Sequence, residues 1–372
     1  MYPAAPCKLS CVILPKPVYF QIFGVLIFYE VYMDALLHDF LMNSSVVISL
    51  IVLVASLFTL SKGADWLVDS AVALSLKWGM PKMVIGATIV SLGTTLPEAS
   101  VSTLAAIKGN AELALGNAIG SIIADTALII GLAAMLGTVP VDKRLIHRQG
   151  TVQFAAAMLL TLVSLPFFSP GREGKIYQWM GWIFVVLLAC YMYISFRWAK
   201  ESMEESEQDT AEENQKPLWL LLVWLVIGIA TVVLSSKILI PAVEVSAIKI
   251  GIPQSIIAAT LVAFGTSVPE LVTAITAVRK GHGELAAGNV IGADILNVLF
   301  VLGVAAAVTP AGIRVPVDFY YLQFPTMLLV LGIFRFCSTR QRSVITRMQG
   351  AVLFIFYAAY IVLNFTLRHI TD

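Results

Sequence analysis

Charge is what this chain has least of. Of its 372 residues only 13% are Asp, Glu, Lys or Arg, while 59% are hydrophobic and the mean hydropathy is +0.88. Soluble domains carry roughly 25% charged residues. The deficit excludes a soluble fold and points to a polytopic membrane protein. The formal net charge of +1 leaves no basic footprint for nucleic acid. The four cysteines, Cys7, Cys11, Cys190 and Cys337, are scattered, which excludes a disulfide framework. Cys7 and Cys11 lie four apart without a His or carboxylate cluster, so they read as incidental thiols rather than metal ligands. The four histidines (His38, His147, His282, His369) fall near segment ends and read as solvated interfacial residues. Nothing here calls for a cofactor.

Long apolar runs fill the remainder. A helix needs ~20 mostly apolar residues to cross the hydrocarbon. Ten segments from Ser45 onward meet that test: about 45–76, 84–107, 113–136, 151–168, 177–198, 218–248, 255–278, 285–308, 319–336 and 350–367. The first is expected to tilt or bend near Lys62-Gly63-Ala64-Asp65. The expected fold is all-α: ten transmembrane helices as two inverted five-helix repeats, with discontinuous helices at an ion site. The domains are then 1–44, an N-terminal extension; 45–198, the first repeat; 199–217, an acidic solvated linker; and 218–372, the second repeat. Residues 18–29 are apolar but short for a span. A signal-like segment, an interfacial helix, an eleventh span and a later start at Met33 or Met42 are all compatible with them.

Loop charge supplies an orientation. Alternate loops carry fourteen basic residues on one side, from Lys77 and Lys82 to Arg347, against six on the other. The positive-inside rule places the fourteen, and the acidic linker, in the cytoplasm of a multi-pass protein of the cell (plasma or inner) membrane.

One motif occurs twice. Gly93-Thr94-Thr95-Leu96-Pro97-Glu98 recurs as Gly265-Thr266-Ser267-Val268-Pro269-Glu270, 172 positions on (270 − 98 = 172). The same offset carries Gly116-Asn117-Ala118-Ile119-Gly120 onto Gly288-Asn289-Val290-Ile291-Gly292. Five spans separate the copies, an odd number, so the repeats are expected to run in opposite senses through the bilayer and to share a midplane site.

Pro97 and Pro269 lack an amide hydrogen and crowd the preceding turn, so each helix should break there. Freed carbonyls and the hydroxyls of Thr94, Thr95, Thr266 and Ser267 then need partners that lipid cannot supply. Glu98 and Glu270 follow each break. Carboxylates, hydroxyls and carbonyls form an all-oxygen set suited to hard cations such as Ca²⁺ and Na⁺. A single buried Glu is as readily a structural residue as a ligand; two in register favour a cation pathway. Ser121 and Asp125 share a helical face, as do their repeat mates Ala293 and Asn297. Asp294 is a further acid three residues before Asn297, and its repeat mate is Ile122. The glycines alone say little, because small residues pack membrane helices everywhere. Asp65 and Asp69 read as interfacial, and Glu112 and Glu284 as helix-start acids.

The duplicated text resembles the alpha repeats of the Na⁺/Ca²⁺ exchanger family, within the cation/Ca²⁺ antiporter superfamily. The resemblance implies ten helices with ion sites between the halves. It implies Glu98 and Glu270 as shared Ca²⁺/Na⁺ ligands, oxygens from Thr94, Thr95, Thr266 and Ser267, and Na⁺-site carbonyls at Ser91 and Ala263. It also implies a Na⁺-site hydroxyl at Ser121, a central polar pair at Asp125 and Asn297, and sliding of the first and sixth spans over the core. This chain departs from the pattern at Ala293, where Ser is expected, and at Ile122, where Asn is common. The Asp/Asn pair is also exchanged between halves relative to some members. A proton-coupled branch carries a Glu soon after its Gly-Asn motif; Gly120-Ser121 here favours Na⁺. The linker is too short for a Ca²⁺-sensor domain.

The expected function is therefore secondary antiport of Na⁺ against Ca²⁺, with these ions and the bilayer as partners and H⁺ or K⁺ coupling left open. The alternatives are H⁺/Ca²⁺ antiport, a passive cation channel, and an intramembrane hydrolase. The last lacks a Gly-x-Gly-Asp motif.

Overall fold

The computed structural model describes residues 36–140, 142–167, 173–205, 217–251, 265–339 and 344–371. The N-terminal segment 1–35, most of the acidic linker, and residues 252–264 with Ala263 lie outside them.

The described chain is mostly helical. A short helix α1 (36–43) precedes α2 (Val46–Trp78), 33 residues long. At 1.5 Å per residue α2 reaches about 50 Å, more than the ~30 Å hydrocarbon, so it must tilt. Ser45 starts it, its side chain accepting from the Ile48 N–H at 3.3 Å. Gly79 ends it with φ 64°, its N–H and that of Met80 returning to Leu76 and Ser75. The anticipated bend near Gly63 is absent and α2 is continuous. Gly63 serves a different purpose: a Cβ there would stand 2.9 Å from Thr231 and from the Val232 backbone nitrogen. It lets α8 (Leu218–Lys249) approach α2 at close range. Asp65 and Asp69 accordingly sit within α2 rather than at its end, and both pair with Lys280, at 3.2 and 2.8 Å.

Between these helices the first half continues with α3 (Lys82–Thr94), α4 (Leu96–Ile107) and α5 (Ala111–Leu136). Strand β1 (Val139–Pro140), α6 (Lys143–Ser164), β2 (Gly174–Ile176) and α7 (Gln178–Glu205) follow. The second half contributes α8, α9 (Val268–Arg279), α10 (Gly283–Ala307) and β3 (Ile313–Val315). It ends with α11 (Phe319–Thr339), β4 (Val344–Ile345) and α12 (Arg347–Thr371). Among the described residues seven helices are long and apolar enough to cross a membrane, and eight if the bent pair α3 and α4 is one span. This is an integral, multi-pass membrane protein. The expected fourth span appears as α6, displaced to begin at Lys143. It falls short of the apolar test because its first two turns hold Lys143, Arg144, His147, Arg148 and Gln149.

The backbone repeats at the same interval as the sequence. Left-handed glycines close helices at Gly79 and Gly251, and again at Gly109 and Gly281, each pair 172 residues apart. Gly281 and His282 return to Val278 and Ala277 as Gly109 and Asn110 return to Ala106 and Ala105. Two small antiparallel ladders join the halves: β1 pairs with β4, and β2 with β3. Helix α6 separates β1 from β2, and α11 separates β3 from β4, so the ladders lie at opposite ends of the bundle. α5 and α10 are the most enclosed helices, whereas most of the apolar length of α2 and α8 is left for lipid. Gly288 and Gly292 bring α10 backbone to backbone against α3, where a Cβ would collide with the Met83 and Ala87 carbonyls.

Candidate functional site

Helices α4 and α9 begin alike. Thr95 (φ −82°, ψ −1°) separates α3 from α4, with a 45° bend between them. Ser267 (φ −84°, ψ 8°) takes the same conformation ahead of α9. Pro97 and Pro269 are second residues of their helices, where a missing N–H costs nothing. Glu98 and Glu270 are third, inside the first turn and at the positive end of the helix dipole. Both are only 1% exposed.

Cross-contacts between halves obey the repeat. The Thr94 hydroxyl donates to Asn289 Oδ1 at 3.4 Å, and its mate Thr266 donates to Asn117 Oδ1 at 3.2 Å. Thr95 donates to Glu270 Oε1 at 3.4 Å, carrying a first-half hydroxyl onto the second-half carboxylate. Thr266 approaches Glu98 and Ser267 approaches Asp125, yet both Glu98 oxygens stay without hydrogen-bond partners among the described residues. Asp125 and Asn297 lie where α5 and α10 widen into π-helical turns, Ala124–Ile129 and Asn297–Leu302. Such turns interrupt the regular ladder and cluster at functional sites.

The chemistry of this cluster is lopsided toward acceptors. Buried and unpartnered among the described residues are Glu98 Oε1 and Oε2, Glu270 Oε2, Asp125 Oδ1, Asn297 Oδ1, Asp294 Oδ1, Ser267 Oγ and Thr273 Oγ1, against one amide donor, Asn289 Nδ2. Removing a carboxylate from water costs several kcal/mol unless a counter-charge repays it. Among the described residues no Lys or Arg pairs with these acids. A desolvated, oxygen-rich, negatively charged centre fits a hard cation. No three His, Cys, Asp or Glu side chains among the described residues converge tightly enough to hold a metal by themselves. Hydroxyl, amide and backbone oxygens must therefore complete any seat.

The expected ligands divide accordingly. Glu98, Glu270, Thr94, Thr95, Thr266, Ser267 and Asp125 come together around the two repeated motifs, and Asn297 is buried at the start of the α10 π-turn. Ser121 is buried on α5, one turn before Asp125. The Ser91 carbonyl is already engaged, accepting from the Thr95 N–H at 2.9 Å and the Thr94 hydroxyl at 3.4 Å. Ala263 lies outside the described residues. Glu112 and Glu284 occupy first helical turns, as expected.

Sequence reasoning passed over Asn117 and Asn289 as individual side chains, although their place in the repeated Gly-Asn text could have singled them out. It also missed Thr126 and Gln153, which hold Asp294. Neither stands in a recognisable motif, and the repeat mate of Thr126 is Val298.

A broken helix and a second helix that starts at the repeated motif, both presenting buried carboxylates to a shared interior, define an ion-translocating membrane protein. The chain belongs to the sodium/calcium exchanger protein family, whose model matches residues 48–197 and 220–366. It is 32% identical to the inner membrane protein YrbG of Escherichia coli, over 81% of this chain and 92% of that one. It is 29% identical to the sodium/calcium exchanger MaX1 of Methanosarcina acetivorans, over 86% of this chain and 99% of that one. Its fold matches the solved sodium-calcium exchanger NCX_Mj with a TM-score of 0.72 at 25% identity, covering 86% of this chain and 99% of that one. The chain is thus a transporter of the cation/Ca²⁺ antiporter type and not an enzyme, which removes the intramembrane hydrolase.

Proposed function

We propose that the protein exchanges Na⁺ for Ca²⁺ across the membrane by alternating access. Its ten spans form two inverted five-helix repeats, residues 45–198 and 218–372, joined by the linker 199–217. Glu98 and Glu270 are the shared ligands. Thr94, Thr95, Thr266, Ser267, Ser121, Asp125 and Asn297 complete the seats, with the Ser91 and Ala263 carbonyls at their edges.

The observation that carries this reading is the set of buried carboxylate oxygens without partners among the described residues, where the two repeated motifs meet. Paired Schellman closures and ladders at opposite ends support the inverted arrangement. The names of MaX1 and NCX_Mj favour Na⁺ as the counter-ion. The coupling follows from charge. The same carboxylates neutralise one divalent ion or several monovalent ones, and an empty acidic centre resists the passage between access states, which enforces exchange.

The test is ⁴⁵Ca²⁺ uptake into Na⁺-loaded proteoliposomes. Uptake should follow the outward Na⁺ gradient. Uptake indifferent to Na⁺ but driven by a pH gradient would replace Na⁺ by H⁺, and flux without any counter-ion would make the protein a channel.

A further inference from the structure

We propose that Asp294 holds a monovalent alkali cation beside the Asp125/Asn297 pair, in a seat additional to those assigned above; the proposal rests on the antiport reading. Asp294 is 2% exposed and stands three residues before Asn297, on the same side of α10. Its Oδ2 accepts from the Thr126 hydroxyl of α5 at 2.5 Å and from the Gln153 amide of α6 at 2.5 Å. Gln153 also donates to the Thr126 hydroxyl at 3.5 Å. Three helices thereby fix the plane of one carboxylate. Its other oxygen, Oδ1, is buried and has no partner among the described residues, and the same is true of Asp125 Oδ1 and Asn297 Oδ1.

A purely structural acid would be satisfied at both oxygens or matched by a base. Asp294 is neither, and the charged groups it faces, Glu270 and Asp125, carry its own sign. A positive ion is what the position lacks. The ion class follows from the oxygen count. The cradle consumes Oδ2, so Asp294 offers a single oxygen and cannot bind bidentately. Ca²⁺ takes 6–8 oxygens and often uses both oxygens of a carboxylate. One carboxylate oxygen beside the neutral Asn297 amide suits an ion of unit charge better. The seat also exists once only. The repeat mates of Asp294 and Thr126 are Ile122 and Val298, neither of which can reproduce it. It therefore adds one monovalent ion to a centre that is otherwise built in mirrored halves.

Reconstituted wild-type protein, Asp294→Asn and Gln153→Met are compared by Ca²⁺ flux at varied Na⁺ and, separately, varied K⁺. Dependence on Na⁺ or on K⁺ identifies which alkali ion occupies the seat. Asp294→Asn should retain Ca²⁺ flux with the Hill slope for that ion reduced by about one, and with the reversal potential shifted to match the loss of one monovalent charge per Ca²⁺. Gln153→Met keeps the charge but frees the carboxylate, so the slope should hold while apparent affinity for the ion falls severalfold. An unchanged slope and reversal potential in Asp294→Asn overturns the proposal, as does a change confined to pH dependence, which would make Asp294 a proton carrier. Where Asp294→Asn fails to fold, unchanged ion affinity in Gln153→Met overturns it instead. Wild-type flux indifferent to Na⁺ and K⁺ would sink the reading of Na⁺ as counter-ion itself, a distinct failure.

Discussion

Replacing Glu98 by Gln separates a ligand from a structural residue. Both Glu98 oxygens are buried and unpartnered among the described residues, and its charged neighbours are Glu270 and Asp125. An isosteric amide therefore breaks no hydrogen bond those residues show, and it removes a like charge from the cluster. The ion-free variant should be at least as stable to heat as the wild type. Ion binding should suffer in proportion to ionic charge. At ~2.4 Å, an ordinary Ca²⁺–oxygen distance, and with a dielectric as high as that of water, one unit of charge is worth about 1.7 kcal/mol to a monovalent ion and about 3.5 kcal/mol to a divalent one. Those figures correspond to about 16-fold and about 300-fold losses of affinity, and a less polar interior makes both larger. Calorimetric titration of the detergent-solubilised protein with Ca²⁺ and with Na⁺, beside thermal unfolding without ions, reads all three quantities. Equal weakening of Ca²⁺ and Na⁺, or a variant that melts well below wild type before any ion is added, would refute the assignment of Glu98 as a free ligand.

Two further expectations concern the scaffold. Gly288→Ala drives a methyl group into the Met83 carbonyl, backbone against backbone with no flexible chain end to yield; overpacking of this kind costs about 1–3 kcal/mol, which a lowered melting temperature would register. His282 precedes α10, with Nδ1 3.4 Å from Lys82 Nζ; burial first, and then the Lys82 charge, holds its pKa below the ordinary value. The native state thus binds the proton less readily than the unfolded chain, so stability is present above ~6.5, the ordinary His pKa, and declines as pH falls through and below it. His282→Gln should flatten the melting temperature between pH 5 and 7, and an unaltered slope would show that His282 does not set it.

The parts of the architecture that repeat were the parts legible in the residues. Pro97 announced its break because a missing N–H acts locally, whatever surrounds it, and Pro269 takes the same second position in its helix. Asp125 and Asn297 could be paired because the interval of 172 carries one onto the other. The Asp294 cradle had no such signal. Thr126 and Gln153 meet Asp294 only through the packing of α5, α6 and α10, and the sequence reads each as an ordinary polar residue. Gly63 misled for a related reason. A glycine beside charged residues within an apolar run suggests a bend, whereas the proximity of Thr231, more than 160 residues away, is what it accommodates. The pairing of Asp65 and Asp69 with Lys280 was likewise illegible, because the partner is distant in sequence.

The two short ladders bear on how such a molecule can change the face it opens. Each stitches a strand of one half to a strand of the other, β1 to β4 at one end and β2 to β3 at the opposite end. A clamshell motion that parted the halves would have to unzip whichever stitch lay at the opening face. Translation of α2 and α8 along the bundle would leave both seams closed, since neither helix is sewn into them.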